Sequence, residues 1–313
     1  MKKTILITGA YGMVGHAFQK NLIHPEKYNY IFVGSHDCDL TSRDDTFRLF
    51  KTLKPDHVIH LAAKVGGVKG NTDYVADFYT QNIQMNTNVL DASYQYGIQK
   101  VISLLSTCVY PNSAIYPLTE DQIHLGPPHK SNFGYAYAKR MLDIQSRSYR
   151  QQHGCNFITA VPNNLYGEND NFLLADGHVI PALIRKVFEA TVNNDPDVTF
   201  WGDGTPLREF TYSKDVAQIL IFLLENYDEP DPINIGTTGE VSIREIAETI
   251  VENAGYTGNV IWDTKMPAGQ YRKPSSNQKL LDLGWCEYTN FDVGVARTLE
   301  WFRQNYPNVR GVR

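Results

Sequence analysis

The sequence of 313 residues predicts a doubly wound α/β fold, a parallel sheet joined to a smaller mixed α/β region. Three observations carry that reading. Short apolar runs recur at 4–8, 30–33, 58–62, 101–105 and 157–161, each the length of a buried strand. Helical spacing fills the gaps at 13–22, 43–53, 78–96 and 135–153. The first run ends in a glycine-rich turn that opens directly into the first helix. Strands alternating with helices in this way require a parallel sheet covered on both faces, with right-handed crossovers.

Past Pro162 the pattern changes. Residues 163–177 are polar and rich in turn formers, and 181–190 reads as a helix. Two short strands, 198–201 and 208–212, flank the Gly202-Asp203-Gly204 turn. Amphipathic helices follow at 216–224 and 243–253. Ser242 with Glu245 three residues on forms a capping box for the second, and Gly255 lies where a C-cap belongs. The expected division is 1–163 as a first domain, with a returning segment near 212–234. Residues 164–211 and 235–313 form the second.

Composition excludes several classes. Hydrophobic residues make up 42% and charged residues 20%, which is ordinary globular usage. A net charge of −5, with no dense Lys/Arg stripe, gives nucleic-acid binding no electrostatic support. No run approaches the ~18 apolar residues a membrane span needs. The apolar stretch at the N-terminus is cut by Thr8, Gly9 and Tyr11 before a signal-type core forms. The expectation is a cytoplasmic protein. The four cysteines, Cys38, Cys108, Cys155 and Cys286, have neither zinc-site nor disulfide-scaffold spacing, and we expect reduced thiols. His57 and His60 lie three apart on a strand and so point to opposite faces, so no metal site is expected there.

Gly9-Ala10-Tyr11-Gly12-Met13-Val14-Gly15 sits between strand and helix. Glycines there permit a tight turn, backbone approach to a pyrophosphate and close helix–strand packing. The following helix N-terminus offers free N–H groups and the positive end of its dipole. A bound dinucleotide is the expected ligand. The second strand ends Phe32-Val33-Gly34-Ser35-His36, with no acidic residue at its tip to hold a ribose 2′-hydroxyl. Ser35 and His36 favour NADP(H), while nearby Asp37 and Asp39 leave NAD(H) open.

Tyr135 and Lys139 lie four residues apart on one helix, hence on one face. An ammonium beside a phenol is expected to draw it toward phenolate and suit it to proton transfer. The run 101–105 leads into Ser106-Thr107-Cys108-Val109-Tyr110, beyond the carboxyl end of a strand, where parallel sheets bind ligands.

The glycine turn, Leu61-Ala62-Ala63, Ser106 and the Tyr135/Lys139 pair resemble the extended short-chain dehydrogenase/reductases that act on nucleotide sugars. The narrower runs are Ala63-Lys64-Val65-Gly66-Gly67, Ser106-Thr107-Cys108-Val109-Tyr110-Pro111 and Asn164-Leu165-Tyr166-Gly167. With Asp170-Asn171-Phe172 and Gly177-His178-Val179-Ile180-Pro181-Ala182-Leu183, they resemble that family's 3,5-epimerase/4-reductases of GDP-4-keto-6-deoxy-D-mannose. The likeness runs from the glycine turn to about Trp285.

The resemblance implies a Rossmann NADP-binding domain and a nucleotide-sugar-binding domain, commonly in a homodimer built through 78–96 and 135–153. It implies Ser106, Cys108, Tyr135, Lys139 and His178 as catalytic residues, with Cys108 as base and His178 as acid. A cysteine acting so needs its pKa lowered. The implied cofactor groove starts at Gly9, Tyr11, Gly12, Met13, Val14 and Gly15 and passes Ser35, His36, Asp39 and Leu40. It continues along Leu61, Ala62, Ala63, Leu105, Pro162, Asn163 and Leu165 to Lys139 and His178. Ser106, Asn164, Val179, Leu183, Lys186, Trp201 and Arg208 would hold the GDP-sugar; Lys186 stands where some relatives have arginine. Rival readings are a sibling reaction on another GDP-4-keto-6-deoxy sugar, a heptose included, and a non-catalytic NADP-binding module. A 4,6-dehydratase would carry an Asp-Glu pair where Thr107-Cys108 stand, and a 4-epimerase has no need of Cys108 and His178.

Overall fold

The computed structural model describes residues 2–174, 177–265 and 271–312. β1 (Lys3–Thr8) leads to α1 (Met13–Lys20), and β2 (Tyr28–Val33) to α2 (Arg43–Leu53). β3 (His57–His60) precedes the short α3 (Val68–Asp73) and the long α4 (Val75–Gln95). β4 (Lys100–Leu104) passes through a 3-10 turn at Thr107–Val109 on the way to α5 (Phe133–His153), and β5 (Phe157–Pro162) follows. The second half holds β6 (Asn164–Tyr166), α6 (Val179–Asn193), β7 (Asp197–Trp201) and β8 (Leu207–Tyr212). Next come α7 (Ser213–Asn226), β9 (Ile233–Ile235), β10 (Glu240–Ser242) and α8 (Ile243–Ala254). The chain ends with β11 (Asn259–Asp263), α9 (Gln278–Asp282) and α10 (Phe291–Asn305).

The main sheet is parallel throughout, in the order β2-β1-β3-β4-β5-β9. Its strands read as continuous apolar runs because both faces are covered. Ile5 and Ile7 of β1 enter the core shared with α1 and α7, while Leu6 enters the core shared with α2, α4 and α5. The order reverses about β1, so the crevice beyond the carboxyl ends of β1 and β3 is the switch point. A separate core joins α6, β7, β8, α8 and α10 through Phe188, Phe200, Phe210, Ile250 and Phe302.

The strands flanking Gly202 do not pair with each other. β7 pairs in parallel with β11, and β8 lies between antiparallel β10 and parallel β6. Gly202 and Gly204 both adopt positive φ, 77° and 78°, which turns the chain into a new sheet instead of back along β7. α9 sends Leu280 into the first core, although its stretch reads as part of the second region. Ser242 and Glu245 do form the capping box, and Gly255 is the αL C-cap with φ 69°. Within β3, His60 is buried, bound by Thr8 Oγ1 at 2.8 Å and by Asn86 Oδ1 at 3.1 Å.

Candidate active site

The glycine turn is built by contact. Gly9 has φ 67°, and a Cβ there would lie 2.6 Å from the Ala62 amide nitrogen. At Gly15 a Cβ would come within 2.3 Å of Ala10 O, so only glycine lets the first turn of α1 press against the loop. Gly12, the N-cap of α1, faces open space except for Gly9 O at 3.3 Å, and no side chain caps the helix. Met13, Val14 and Gly15 therefore begin a helix whose amide end is available to a diphosphate. This is the arrangement a dinucleotide requires.

Tyr11 is half exposed and lies across Gly34 at the tip of β2, where a Cβ would fall 2.2 Å from its ring. Beyond it, Ser35, His36, Asp37 and Asp39 line a cavity of about 450 Å³ with Arg48 and Leu49. The acidic groups are committed locally. Asp37 accepts from the Gly34 amide at 2.9 Å, and Asp39 from the Thr41 amide and hydroxyl at 2.9 and 2.7 Å. Arg48, on α2, brings a guanidinium to this cavity, where it is paired with Asp45 of the same helix. Leu40 is not part of this wall, because its side chain is in the core and its carbonyl accepts from Asn88 at 2.9 Å.

At the carboxyl end of β4, Leu105 is buried and Ser106 caps the 3-10 turn, its Oγ accepting from the Cys108 amide at 3.4 Å. Arg140 of α5 clamps this turn, donating from Nε to Val109 O at 2.6 Å and from Nη1 to Gly126 O at 2.7 Å. Its neighbour Lys139 is buried and donates to Leu104 O at 2.6 Å. One helix thus fixes Tyr135, Lys139 and the loop that carries Cys108.

The electrostatics differ from the sequence expectation. Burial pulls Lys139 down to about 8. Burial, followed by the charge of Cys108, pushes the Tyr135 phenol above its usual range. The Lys139 ammonium sits 5.8 Å from the centre of the Tyr135 ring, over its face, and does not draw the phenol toward phenolate. Tyr135 is therefore a protonated group, ready to donate. Cys108 is likewise raised by burial, opposed by the Ser106 hydrogen bond, Lys273 and Lys139. Lys273 was not picked from the sequence. Its Nζ donates to Thr107 O at 3.0 Å, across 166 residues of chain, so no local pattern signals it.

His178 is the N-cap of α6, its side chain 58% exposed, with Nδ1 3.8 Å from Asp170 Oδ1. Val179 begins that helix and is exposed, while Leu183 is buried in the second core. Lys186 lies 5.7 Å from the centre of the Trp201 ring and donates to Thr199 O at 3.0 Å; Trp201 is 56% exposed at the end of β7. Arg208 donates to Leu207 O at 2.7 Å and Tyr271 O at 3.3 Å, with no ion-pair partner among the described residues. Glu209 next to it is taken by Ser275, and Asp203 by Thr205. Burial pulls Arg208 and Lys273 down; at Lys273 the charge of Cys108 opposes this and that of Arg208 adds to it. Lys186 beside the exposed indole of Trp201 suits a nucleoside diphosphate.

Of the remaining groove residues, Leu61, Ala62 and Ala63 follow β3, with the Ala62 amide 3.3 Å from Thr8 Oγ1. Pro162 ends β5, and Leu165 packs on the first core. The Asn163 side chain is used structurally, donating to Thr237 O at 2.9 Å and accepting from Thr211 Oγ1 at 2.7 Å. Asn164 donates to Glu209 O at 2.9 Å.

The NAD dependent epimerase/dehydratase family matches residues 5–236. A GDP-L-fucose synthase of Dictyostelium discoideum is 43% identical, covering 99% of this chain and 98% of that protein. That of Escherichia coli (strain K12) is 36% identical over 99% of each. The structure of a GDP-L-fucose synthetase from Naegleria fowleri bound to NADP superposes with a TM-score of 0.93, at 41% identity, covering 98% of this chain and 95% of that one. The chain belongs to the NAD dependent epimerase/dehydratase family, among its GDP-L-fucose synthases.

Proposed function

We propose that this protein converts GDP-4-keto-6-deoxy-D-mannose to GDP-L-fucose by 3,5-epimerisation and NADPH-dependent reduction at C4. The observation that carries the reading is the turn of Ser106 and Cys108, gripped by the helix that bears Tyr135 and Lys139. A thiol and two hydroxyls around one carbonyl are what proton abstraction beside a ketone, then protonation of its oxygen, require.

In this reading Ser106 and Tyr135 hydrogen-bond the C4 oxygen and stabilise the enolate. Cys108 removes the acidified protons at C3 and C5, and His178 returns a proton to the opposite face of each carbon. NADPH, when bound, supplies hydride to C4. Tyr135 then donates its proton to the C4 oxygen, and Lys139, near neutral in affinity, holds the ribose and restores the phenol. Lys186 and Arg208 take the diphosphate, Trp201 stacks on the guanine, and Asn164, Val179 and Leu183 line the sugar end. The cofactor follows Gly9–Gly15, with Ser35, His36 and Arg48 toward the 2′-phosphate.

We further propose that 1–163 with 212–234 forms the cofactor domain and that 164–211 with 235–313 forms the sugar-nucleotide domain; the separate apolar cores support this division except at Leu280, Leu283, Trp285 and Tyr288, which join the first core. A homodimer through α4 and α5 fits the exposed Tyr79, Tyr94, Phe133, Met141 and Ile144 on those helices. The free thiols of the described cysteines suit the cytoplasm. No helix among the described residues is long and apolar enough to cross a membrane.

The test is NMR of the product made from GDP-4-keto-6-deoxy-D-mannose and NADPH in heavy water. We expect GDP-L-fucose with deuterium at C3 and C5 and protium at C4. A product that keeps both original protons, or turnover only of a heptose analogue, contradicts the assignment.

A further inference from the structure

We propose that Asp170 is a positioning residue for His178, holding the imidazolium through Nδ1 so that Nε2 is presented to the sugar carbon. The inference rests on the reading of His178 as the acid of epimerisation and deepens it.

Asp170 lies in the loop after β6, reached through Asn169, whose backbone is left-handed at φ 64°. Its side chain is only 7% exposed. Oδ1 accepts from the Asn171 amide at 2.7 Å, and Oδ2 has no hydrogen-bond partner among the described residues. A buried carboxylate left half satisfied is costly. Burial pushes its carboxyl upward, and the charges of His178 and Arg310 and the Asn171 amide oppose that. The residues next to Asp170 are packed. Phe172 is buried against Phe302 at 4.5 Å between ring centres, and its amide donates to Arg310 O at 2.9 Å. The fold therefore anchors an under-bonded anion 3.8 Å from Nδ1 of a solvent-facing histidine. That is an ion-pair distance, longer than a hydrogen bond. Catalytic hydrogen bonds often tighten only when substrate is seated.

The chemistry balances without any further reagent. The His178 Nε2–H bond breaks as a C–H bond forms with the electron pair of the enolate carbon. The imidazole is left neutral with its proton on Nδ1, still donated to Asp170. A carboxylate behind an imidazole selects this tautomer and stabilises the charged form that precedes transfer.

The experiment compares wild type, Asp170→Asn and Asp170→Glu as full-length enzyme. Deuterium wash-in from heavy water at C3 and C5 of GDP-4-keto-6-deoxy-D-mannose is followed by NMR with NADP⁺ present, so that reduction cannot intervene. NADPH dissociation is measured in parallel. Asp170→Asn is expected to slow wash-in about 100-fold, toward the loss seen when such orienting carboxylates are neutralised, with NADPH affinity within about twofold. Asp170→Glu is expected to recover at least a tenth of the wild-type rate. Wild-type wash-in in Asp170→Asn overturns the inference, as does equal loss of wash-in and NADPH affinity in both variants, which marks a structural residue. Absence of wash-in in the wild type itself overturns the epimerase reading beneath it.

Discussion

The two halves of the site are built differently. Ser106, Tyr135 and Lys139 belong to one sheet end and one helix, with Lys139 buried against Leu104 O at 2.6 Å. His178 and Trp201 belong to the second core's elements and present exposed side chains. In the proposed reading, the oxygen-protonating Tyr135 and the base Cys108 are set by the first core, whereas the acid His178 and the nucleotide contact Trp201 stand in solvent. Reduction should therefore fail through chemistry, and epimerisation through positioning as well.

The sharpest separation is Tyr135→Phe. It should lower C4 reduction about 10³-fold, within the span of a positioned general acid, while C3/C5 exchange persists; single-turnover NADPH oxidation beside deuterium wash-in checks both. Unimpaired reduction would erase the distinction. Cys108→Ser comes next. Wash-in should fall about 100-fold with NADPH binding unchanged, as read by titration of cofactor fluorescence.

A third effect concerns the support of the sheet side. Burial, with Lys139 adding, pulls His60 down to about 3. The unfolded chain binds a proton at this site near pH 6.5, while the native state does not until about pH 3. Between those limits the unfolded state holds more protons, so stability rises with pH and is lost as pH falls. From pH 6.5 to 5 the loss assigned to His60 is at most about 2 kcal/mol. Denaturant unfolding of wild type and His60→Asn at both pH values should show a flatter dependence in the variant; parallel curves would refute it.

The smallest effect lies at Lys273. Removing its charge in Lys273→Met leaves burial of Cys108 less opposed and raises the thiol further. Wash-in at neutral pH should drop about 10-fold, the equivalent of one pKa unit, and recover as pH rises, while Lys273→Arg stays near wild type. A pH-independent loss would make Lys273 a binding group only.

What could be read from residues alone was local. The glycine turn, the 43–53 helix and the Ser242/Glu245 box each depend on neighbours within one turn of chain, and the structure reproduces them. α10 carried such a signal, with Val295, Leu299 and Phe302 on one face behind the Asn290 cap, and went unread. Arg48, Arg140 and Lys273 gave none, and Asp170 entered only within the resembling run 170–172 with no role attached, because its partner His178 is supplied by the fold. The electrostatic reading of Tyr135 and Cys108 failed for a related reason. Sequence spacing reports a neighbouring charge but not burial, and burial is the larger influence at both groups.

The most direct measurement is a crystal structure with NADP⁺ and GDP-L-fucose bound. The account predicts Cys108 Sγ and the His178 ring at about 3–3.5 Å from the C3 or C5 carbons, approaching from opposite faces of the pyranose. Both groups on one face, or either out of reach of both carbons, would contradict it.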